Sequence, residues 1–317
     1  MEFLNEFFKE EVVDGFKISS EMKSAWAAQI EVLLEIDRIC KKNNLTWFAG
    51  WGTLLGAVRH NGFIPWDDDI DILMMRDDYD KFIKLLPSEL DKEFDYLHHS
   101  VTKEYKEYFL RILNSREIRI DEQWLRRFHN CPYIVGIDIF PLDSLSDDLE
   151  EREFQRQVID IIYSAVSVVE DKKIFEEKEE CRDMISNIEN MLNISLDWNL
   201  NSKNQLWALC DKVCAAYNDI HTNSITDWSD SLEKSKLQEY DRSWFDSVVY
   251  KKFENIDMPV PCGYDKLLTK IYGDWNKKLI DVAGHEYPFY KEQRELLIDF
   301  LKKTNREEMV LWLNLEV

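Results

Sequence analysis

One short stretch, residues 47–72, restricts what this chain can fold into more than any other part of the sequence. After an apolar run it reads GTLLGAVRHNGFIPWDDDID at 52–71, a glycine-rich turn followed by a cluster of acids. Four carboxylates fall within the five positions 67–71, and carboxylates this close repel one another strongly in a low-dielectric site. A bound cation neutralises such a cluster, and ligands that are all carboxylate oxygens favour Mg²⁺ or Mn²⁺. We therefore predict a divalent cation beside a glycine-rich turn, an arrangement that suits phosphate chemistry.

The acidic cluster runs into a predicted strand at 69–74, where polar and apolar residues alternate. Alternation places Asp69 and Asp71 on one face of the strand, with Cα atoms roughly 6.5–7 Å apart. Both carboxylates can then converge on one or two ions. Asp67 comes just before this strand, where a turn would bring it in as a further ligand. We predict that Asp67, Asp69 and Asp71 hold the metal.

A further acid, Asp138, stands alone in an apolar strand predicted at 134–140, which we expect Pro141 to end. A buried carboxylate without a partner costs several kcal/mol, so its presence calls for a functional explanation. If this strand neighbours the strand at 69–74, Asp138 completes a three-carboxylate catalytic site with Asp69 and Asp71. The alternative is a structural acid at a sheet edge or a helix N-cap.

The glycine-rich turn supplies the candidates for substrate contacts. Gly52 and Thr53 offer backbone N–H groups and a hydroxyl at the start of a helix, where anions bind. Arg59 and His60 follow the helix and are predicted to contact phosphate or to balance the acidic charge, the alternative being a surface salt bridge of small energetic value. Trp66 either packs beneath the acidic loop or lines the binding site of the phosphate-bearing substrate.

Composition excludes several classes of function. The formal net charge of −22 argues against a nucleic-acid partner, which requires a basic surface. The first residues lack the basic and apolar regions of a signal peptide. The longest apolar stretch, 158–169, is too short to span a bilayer, so no integral membrane segment is expected. Six scattered cysteines fit reduced thiols, and we predict a cytoplasmic protein.

The 317 residues divide into three parts by glycine content and hydrophobic periodicity. Residues 1–145 alternate helix and strand patterns and are predicted to form an α+β catalytic core, a mixed sheet with flanking helices. Residues 146–250 carry no glycine and show charged and apolar residues at helical spacing, which predicts a helical insertion. Residues 251–317 regain glycine and proline and are predicted to complete the active-site body. The other predicted helices are 20–42, 53–59, 77–87 and 292–313, and the other strands are 45–49, 94–98, 108–113 and 117–121.

The motifs at 52–71 and 136–143 resemble the core of the LicD family of phosphotransferases, which is related to the fukutin group. A third block, 253–275, resembles the family's C-terminal motif and includes Asp274 and Trp275. The resemblance implies a nucleotidyltransferase-like fold. It also suggests that Asp274 and Trp275 close the substrate pocket, the alternative being plain packing of a Tyr-Gly turn.

The family's activity implies transfer of a phospho-substituent from a CDP-activated donor to a hydroxyl of a cell-surface glycan or its precursor, such as a teichoic acid or lipopolysaccharide. CDP-choline is the first expectation and CDP-ribitol the second. Asp69 and Asp71 would bind Mg²⁺ or Mn²⁺ with help from Asp67, and Asp138 would act as ligand or as base. A lipid-linked acceptor would place the protein at the inner face of the membrane. The aromatic residues proposed to hold choline by cation–π contact are Trp47, Trp51, Tyr264 and Trp275.

Two other functions are compatible with part of this pattern. A nucleotidyltransferase on the same fold would keep the nucleoside monophosphate on the acceptor and release pyrophosphate. A non-catalytic binding module would have lost an acid, whereas Asp69, Asp71 and Asp138 are all present. The mass of the product distinguishes the two transferases.

Overall fold

The computed structural model describes residues 3–102, 105, 107–170, 179–197, 202–233, 236–280, 287–313 and 315. The strands within these ranges are β1 (Glu11–Val13), β2 (Phe16–Ile18), β3 (Phe48–Ala49), β4 (Asp71–Met75), β5 (Asp95–Leu97), β6 (Leu110–Leu113), β7 (Gly136–Ser144), β8 (Ser224–Thr226), β9 (Tyr240–Asp241), β10 (Val248–Phe253) and β11 (Ile256–Pro261). The α-helices are α1 (Ser20–Asn43), α2 (Trp51–Leu55), α3 (Arg76–Glu89), α4 (Glu122–Arg127), α5 (Leu149–Glu170), α6 (Glu179–Leu192), α7 (Ser202–Cys214), α8 (Trp228–Glu233), α9 (Tyr264–Tyr272), α10 (Lys291–Lys303) and α11 (Glu308–Trp312).

A seven-stranded mixed sheet forms the centre of the protein. Its main path runs β3-β4-β7-β6-β5, and β8 joins the end of β7 and pairs in turn with β9. The β4–β7 pair is parallel, whereas the other pairs of this sheet are antiparallel. Two further antiparallel pairs, β1–β2 and β10–β11, lie outside it. This mixed sheet with flanking helices confirms the predicted α+β class.

Helix α1 packs against this sheet. The side chain of Ser19 caps it by accepting a hydrogen bond from the Met22 N–H at 3.1 Å, which satisfies one of the free N–H groups of the first turn. Its apolar stripe, including Trp26 and Ile30, is buried in the main hydrophobic core. The helix ends at Asn44, whose left-handed backbone closes the last turn. The helix predicted at 20–42 is therefore confirmed to within one residue.

The strand predicted at 69–74 starts two residues later than expected, because β4 begins at Asp71. Strand β3 is only two residues long and pairs with Leu73 and Ile72. It therefore does not extend far enough to pair with Asp69 and Ile70. The residues before β4 bond to α1 instead: the Asp67 carbonyl accepts from the Trp26 indole at 3.1 Å, and the Asp68 carbonyl accepts from Gln29 at 2.7 Å. Asp69 thus lies on a loop, and the expected shared strand face of Asp69 and Asp71 is wrong.

Strand β7 continues through Pro141 to Ser144, although the proline was expected to end it. Pro141 stands opposite Met74 of β4. The β6 pairing has already stopped at Ile139, and the β8 pairing starts only at Asp143. Because neither of these strands pairs with Pro141, its missing N–H costs no hydrogen bond on that edge.

Three further predictions differ from the structure. No strand forms at 117–121, a loop that ends where the Asp121 side chain caps α4. The helix expected at 53–59 begins at Trp51 and continues as one π-helical turn, Gly56–His60, which ends at the left-handed Asn61. The helix expected at 292–313 is divided into α10 and α11, with a left-handed Asn305 between them.

The helices of the middle region have a hydrophobic core of their own, formed by α5, α6 and α7 with Trp228. The region also contributes β8 and β9 to the sheet, so it is not helical throughout. A buried ion-pair network ties it to the N-terminal part of the chain: Arg76 donates two hydrogen bonds to Asp143 and a third, at 2.6 Å, to Asp211 of α7. The limits 1–145, 146–250 and 251–317 remain predictions. Within the described residues, no helix combines the length and apolar composition needed to span a bilayer.

Candidate active site

The glycine-rich turn is fastened to the first residue of β4. The Gly50 N–H donates to the Asp71 carbonyl at 2.9 Å, and the Asp71 N–H donates to the Thr53 hydroxyl at 2.9 Å. These two bonds fix the backbone on both sides of the Asp71 side chain. Thr53 is buried, so the structure gives its hydroxyl a positioning contact, and substrate contact by Thr53 stays a prediction.

Gly52 allows the acidic loop to close on α2. A Cβ atom at this position would lie 2.4 Å from the Asp67 Oδ2 atom, far inside van der Waals contact. Any other residue would therefore displace the Asp67 carboxylate. The sequence signal, a glycine 15 positions before an acid, has a steric explanation that only the folded structure reveals.

Carboxylate oxygens of Asp67, Asp68 and Asp69 all lie within 4.8 Å of one another, a spacing that a metal ion could bridge. Asp68 also makes a structural hydrogen bond. It is fully buried, and its carboxylate accepts a hydrogen bond from the Phe289 N–H at 2.6 Å, which ties the loop to the segment before α10. No role for Asp68 was predicted from the sequence.

Asp138 lies where the sequence predicted it, on the strand next to Asp71. The two residues are direct partners in the parallel register of β4 and β7. On its other side Asp138 faces Arg111 of β6, which makes a two-point ion pair with it; Arg111 Nη2 and Asp138 Oδ2 are 2.6 Å apart. Arg111 was missed in the sequence analysis, and its only signal was a lone basic residue within the apolar strand at 110–113.

Burial and crowding act on the acids in the same direction. The pKa of Asp71 is raised well above its usual value by burial first, and then by the nearby charges of Asp69, Asp138 and Asp67. The pKa of Asp67 is raised by burial and by Asp69. A cation bound among these groups would remove both penalties, and a donor set made only of carboxylate oxygens fits Mg²⁺ or Mn²⁺.

A cavity of about 360 Å³ gathers most of the predicted site residues. Those lining it are Gly52, Arg59, Trp66, Asp67, Asp69, Asp71, Asp274 and Trp275, joined by Tyr272, Lys277 and three apolar residues. Trp66 is buried and also lines this cavity, a position compatible with either of its predicted roles. Thr53, His60 and Asp138 are not part of the lining.

Arg59 holds the far wall of this cavity. Its Nη1 atom donates to the carbonyl of Trp275 at 2.9 Å and to that of Lys277 at 3.3 Å. The guanidinium therefore sits at the cavity wall and links the π-helical turn to the segment after α9. His60 is different: burial, followed by the Arg59 charge, lowers its pKa to about 4, so it is neutral at pH 7. His60 lies edge-on to Trp66 and cannot balance acidic charge at that pH.

Two other cavities also reach Asp71. One, of about 680 Å³, is bordered by Asp69, Asp138 and Arg111 together with polar residues of α1 and α10. The other, of about 410 Å³, lies between Trp51, Phe109 and Phe140 on one side and Tyr163 of α5 on the other. Asp71 thus borders three cavities.

Known proteins match both the acidic core and most of the chain. The family model of the LicD/FKTN/FKRP nucleotidyltransferase domain matches residues 44–146. Lipopolysaccharide cholinephosphotransferase LicD of Haemophilus influenzae is 25% identical over 256 residues, which cover 78% of this chain and 88% of that protein. An uncharacterised Rickettsia typhi protein is 44% identical over 57 residues (18% of each chain), and one of Rickettsia prowazekii is 38% identical over 74 residues, 23% of this chain and 26% of that one. Residues 44–146 therefore match the LicD-family nucleotidyltransferase domain that the sequence motifs resemble.

Proposed function

We propose that this protein transfers phosphocholine from CDP-choline to a hydroxyl of a lipopolysaccharide or related cell-surface glycan, with Mg²⁺ or Mn²⁺. The observation that carries the proposal is that Asp71, within a cluster of carboxylates, borders three cavities. A transferase of this kind must bring a nucleotide, a head group and an acceptor to one diphosphate. The similarity to the LicD cholinephosphotransferase supports choline as the head group and a lipopolysaccharide as the acceptor.

The 360 Å³ cavity suits the nucleotide end of the donor. Arg59 and Lys277 supply positive charge, which phosphate groups require. Trp275, which is only partly buried, offers an aromatic side chain on which a base can stack. The hydrogen bond from Arg59 to the Trp275 carbonyl would hold the positively charged and the aromatic side of this cavity in fixed relative positions.

Asp67, Asp69 and Asp71 are the proposed metal ligands, and Asp138 the fourth. A bound divalent ion lowers the charge of the diphosphate and stabilises the departing CMP. Arg111 contacts both carboxylate oxygens of Asp138 and fixes that side chain on the strand beside Asp71, an orientation that suits a ligand. We therefore favour a ligand role for Asp138 over a role as base.

In the proposed reaction the acceptor oxygen forms a new bond to the β-phosphorus as the bond from that phosphorus to the bridging oxygen breaks. CMP leaves with the bridging oxygen, and the hydroxyl proton passes to a carboxylate of the cluster. Asp69 borders both the nucleotide cavity and the 680 Å³ cavity, so it stands between donor and acceptor. We propose that Asp69 binds the ion through one carboxylate oxygen and accepts this proton on the other. General-base catalysis of this kind contributes about 10²–10⁴-fold in rate.

The 680 Å³ cavity suits the acceptor. Its border includes Lys291 and Glu292, charged side chains of the kind that bind sugar hydroxyls. An acceptor carried on a lipid would require the protein to work at the inner face of the membrane, and we propose a peripheral position there.

The test is incubation of the purified protein with CDP-choline, CDP-ethanolamine or CDP-ribitol, with Mg²⁺, Mn²⁺ or chelator, while CMP is measured. Release of CMP from CDP-choline with either metal, and its loss on chelation, is the expected result. Release of pyrophosphate from CTP, with CMP attached to the acceptor, would replace this proposal by a nucleotidyltransferase function. No reaction with any CDP donor in the presence of lipopolysaccharide would refute it.

A further inference from the structure

The 410 Å³ cavity beside Asp71 differs in chemistry from its two neighbours. Its aromatic lining consists of Trp51, Tyr108, Phe109, Phe140 and Tyr163. Its charged lining consists of Asp71, Glu107 and Asp230, and no Lys, Arg or His side chain borders it among the described residues. The nucleotide cavity, by contrast, is bordered by Arg59 and Lys277.

The rings of this cavity form a continuous series of contacts. The Trp51 ring meets Phe140 edge-on with centroids 4.7 Å apart, and Phe140 meets Phe109 at 4.4 Å. On the other side, Tyr108 and Tyr163 both contact the buried Trp207, at 5.9 and 5.7 Å. Contacts of this kind hold each ring in one orientation, so the cavity is preformed.

Trp51 occupies this wall at a backbone cost. Its φ is +30°, a left-handed value that a bulky residue rarely adopts, and it lies between two glycines that would accept that value more easily. A strained, large aromatic side chain at the edge of a candidate active site indicates that the ring itself is needed there.

From this combination of rings and carboxylates we infer that the cavity is the binding site of a quaternary ammonium group, the choline end of the donor. Aromatic faces and carboxylates attract a cation that cannot donate hydrogen bonds, and they offer little to a polyol. Its position next to Asp71 is where a head group attached to the reacting phosphate would project. The inference rests on the proposed function and selects choline over ribitol as the donor's head group.

Of the four aromatic residues considered from the sequence, only Trp51 borders this cavity. Trp47 donates its indole N–H to Asp37 at 3.3 Å and lines another cavity. Tyr264 lies under the Lys251 ammonium, which is 4.4 Å from its ring centroid. Trp275 lines the nucleotide cavity. The cavity therefore shares one residue with the sequence-based set and adds Tyr108, Phe109, Phe140 and Tyr163.

Binding of choline alone tests the inference without any turnover. Saturation-transfer NMR would follow the methyl protons of choline and of 3,3-dimethylbutanol, its neutral isostere, on the full-length protein. We expect choline to bind roughly thirty-fold more tightly than the isostere, the ratio that about 2 kcal/mol of desolvated cation–π attraction provides. Equal binding of the two ligands, or no choline binding by a protein that binds CMP, would overturn it.

Variants locate the binding site. Tyr163 is 44% exposed, so Tyr163→Leu should fold normally and weaken choline binding by roughly two- to five-fold, as expected for a partly exposed cation–π contact. Glu107→Gln should weaken it as well. Tyr250→Leu is the matched control, an exposed tyrosine of β10 that should leave choline binding unchanged. Choline binding lost in Trp275→Leu but kept in Tyr163→Leu and Glu107→Gln would place the head group in the nucleotide cavity and refute the inference.

The binding experiment and the transfer experiment can each fail independently of the other. If choline binds as described but no CMP is released from CDP-choline, the proposed transfer is wrong and the quaternary ammonium site stands. If CMP is released and the Tyr163→Leu and Glu107→Gln variants prefer CDP-choline over CDP-ribitol as strongly as the wild type does, the transfer stands and the site is wrong.

Discussion

Asp71 and Asp138 stand opposite each other in the parallel pairing of β4 and β7, and this single register brings two acids 67 positions apart in the chain to one point of the sheet. Arg111 holds Asp138 from the neighbouring strand, while the turn of Gly50 and Thr53 holds Asp71. Burial and the neighbouring acids raise the pKa of Asp71. A divalent ion bound here would offset this repulsion between carboxylates.

Divalent metal should stabilise the protein. A cation bound among Asp67, Asp69 and Asp71 reduces their repulsion in the folded state only, and linkage gives about 2.7 kcal/mol of added unfolding free energy at a hundred-fold excess over Kd. The measurement is the melting temperature with Mg²⁺, with Mn²⁺ and with chelator. NaCl at equal ionic strength, without divalent metal, is the control. A melting temperature that does not respond to either metal, with CDP-choline present, would contradict a metal site.

Gly52→Ala should separate activity from stability. The new methyl group must displace the Asp67 carboxylate, and a displacement of 1 Å at a catalytic group can cost about 10²-fold in rate. Alanine in a helix is favoured over glycine by roughly 0.5–1 kcal/mol, so the melting temperature should not fall by much. The measurement is CMP release together with a thermal melt. Full activity in this variant would show that the position of Asp67 does not matter.

Asp138→Asn distinguishes a ligand from a base. In the ligand role that we favour, metal affinity and transfer rate should fall together. Arg111→Gln should weaken metal binding more mildly, by about 10–100-fold, because it only orients a ligand. Arg116→Gln, which breaks an exposed pair with Asp95, is the control. Normal metal affinity in Asp138→Asn, with a slow rate and a lost acid limb of the pH profile, would make Asp138 the base.

His60 should make the folded protein sensitive to acid. Its folded pKa, about 4, lies below the ordinary value of 6.5, so the unfolded chain takes up a proton first as the pH falls. Its stabilising contribution is present above pH 6.5 and is lost as the pH falls towards 4. Between pH 6.5 and pH 4, the melting temperature of His60→Gln should therefore fall less than that of the wild type. The exposed His221→Gln is the control, and parallel curves for wild type and His60→Gln would refute a buried neutral His60.

The sequence predicted the parts of the site that depend on local pattern. The positions of the turn, the acidic cluster and the second acid follow from motif spacing, and the helix at 20–42 follows from its apolar period. Contacts between distant segments could not be predicted. Arg111 meets Asp138 only because β6 lies against β7, and the tie from Asp68 to Phe289 joins segments more than 200 residues apart. Asp69 left the expected strand because side chains of α1 bind the carbonyls before it.

Transfer of phosphocholine at the carboxylate cluster of Asp71 predicts a specific increase in the mass of the acceptor, which mass spectrometry measures. Lipopolysaccharide would be incubated with CDP-choline and Mg²⁺ or Mn²⁺, using the wild type, Asp71→Asn, and the exposed control Asp257→Asn. We expect that wild type and Asp257→Asn add the mass of one phosphocholine and release equal CMP, while Asp71→Asn stays folded and adds nothing. An acceptor that gains CMP, or an Asp71→Asn variant with full activity at saturating metal, would contradict it.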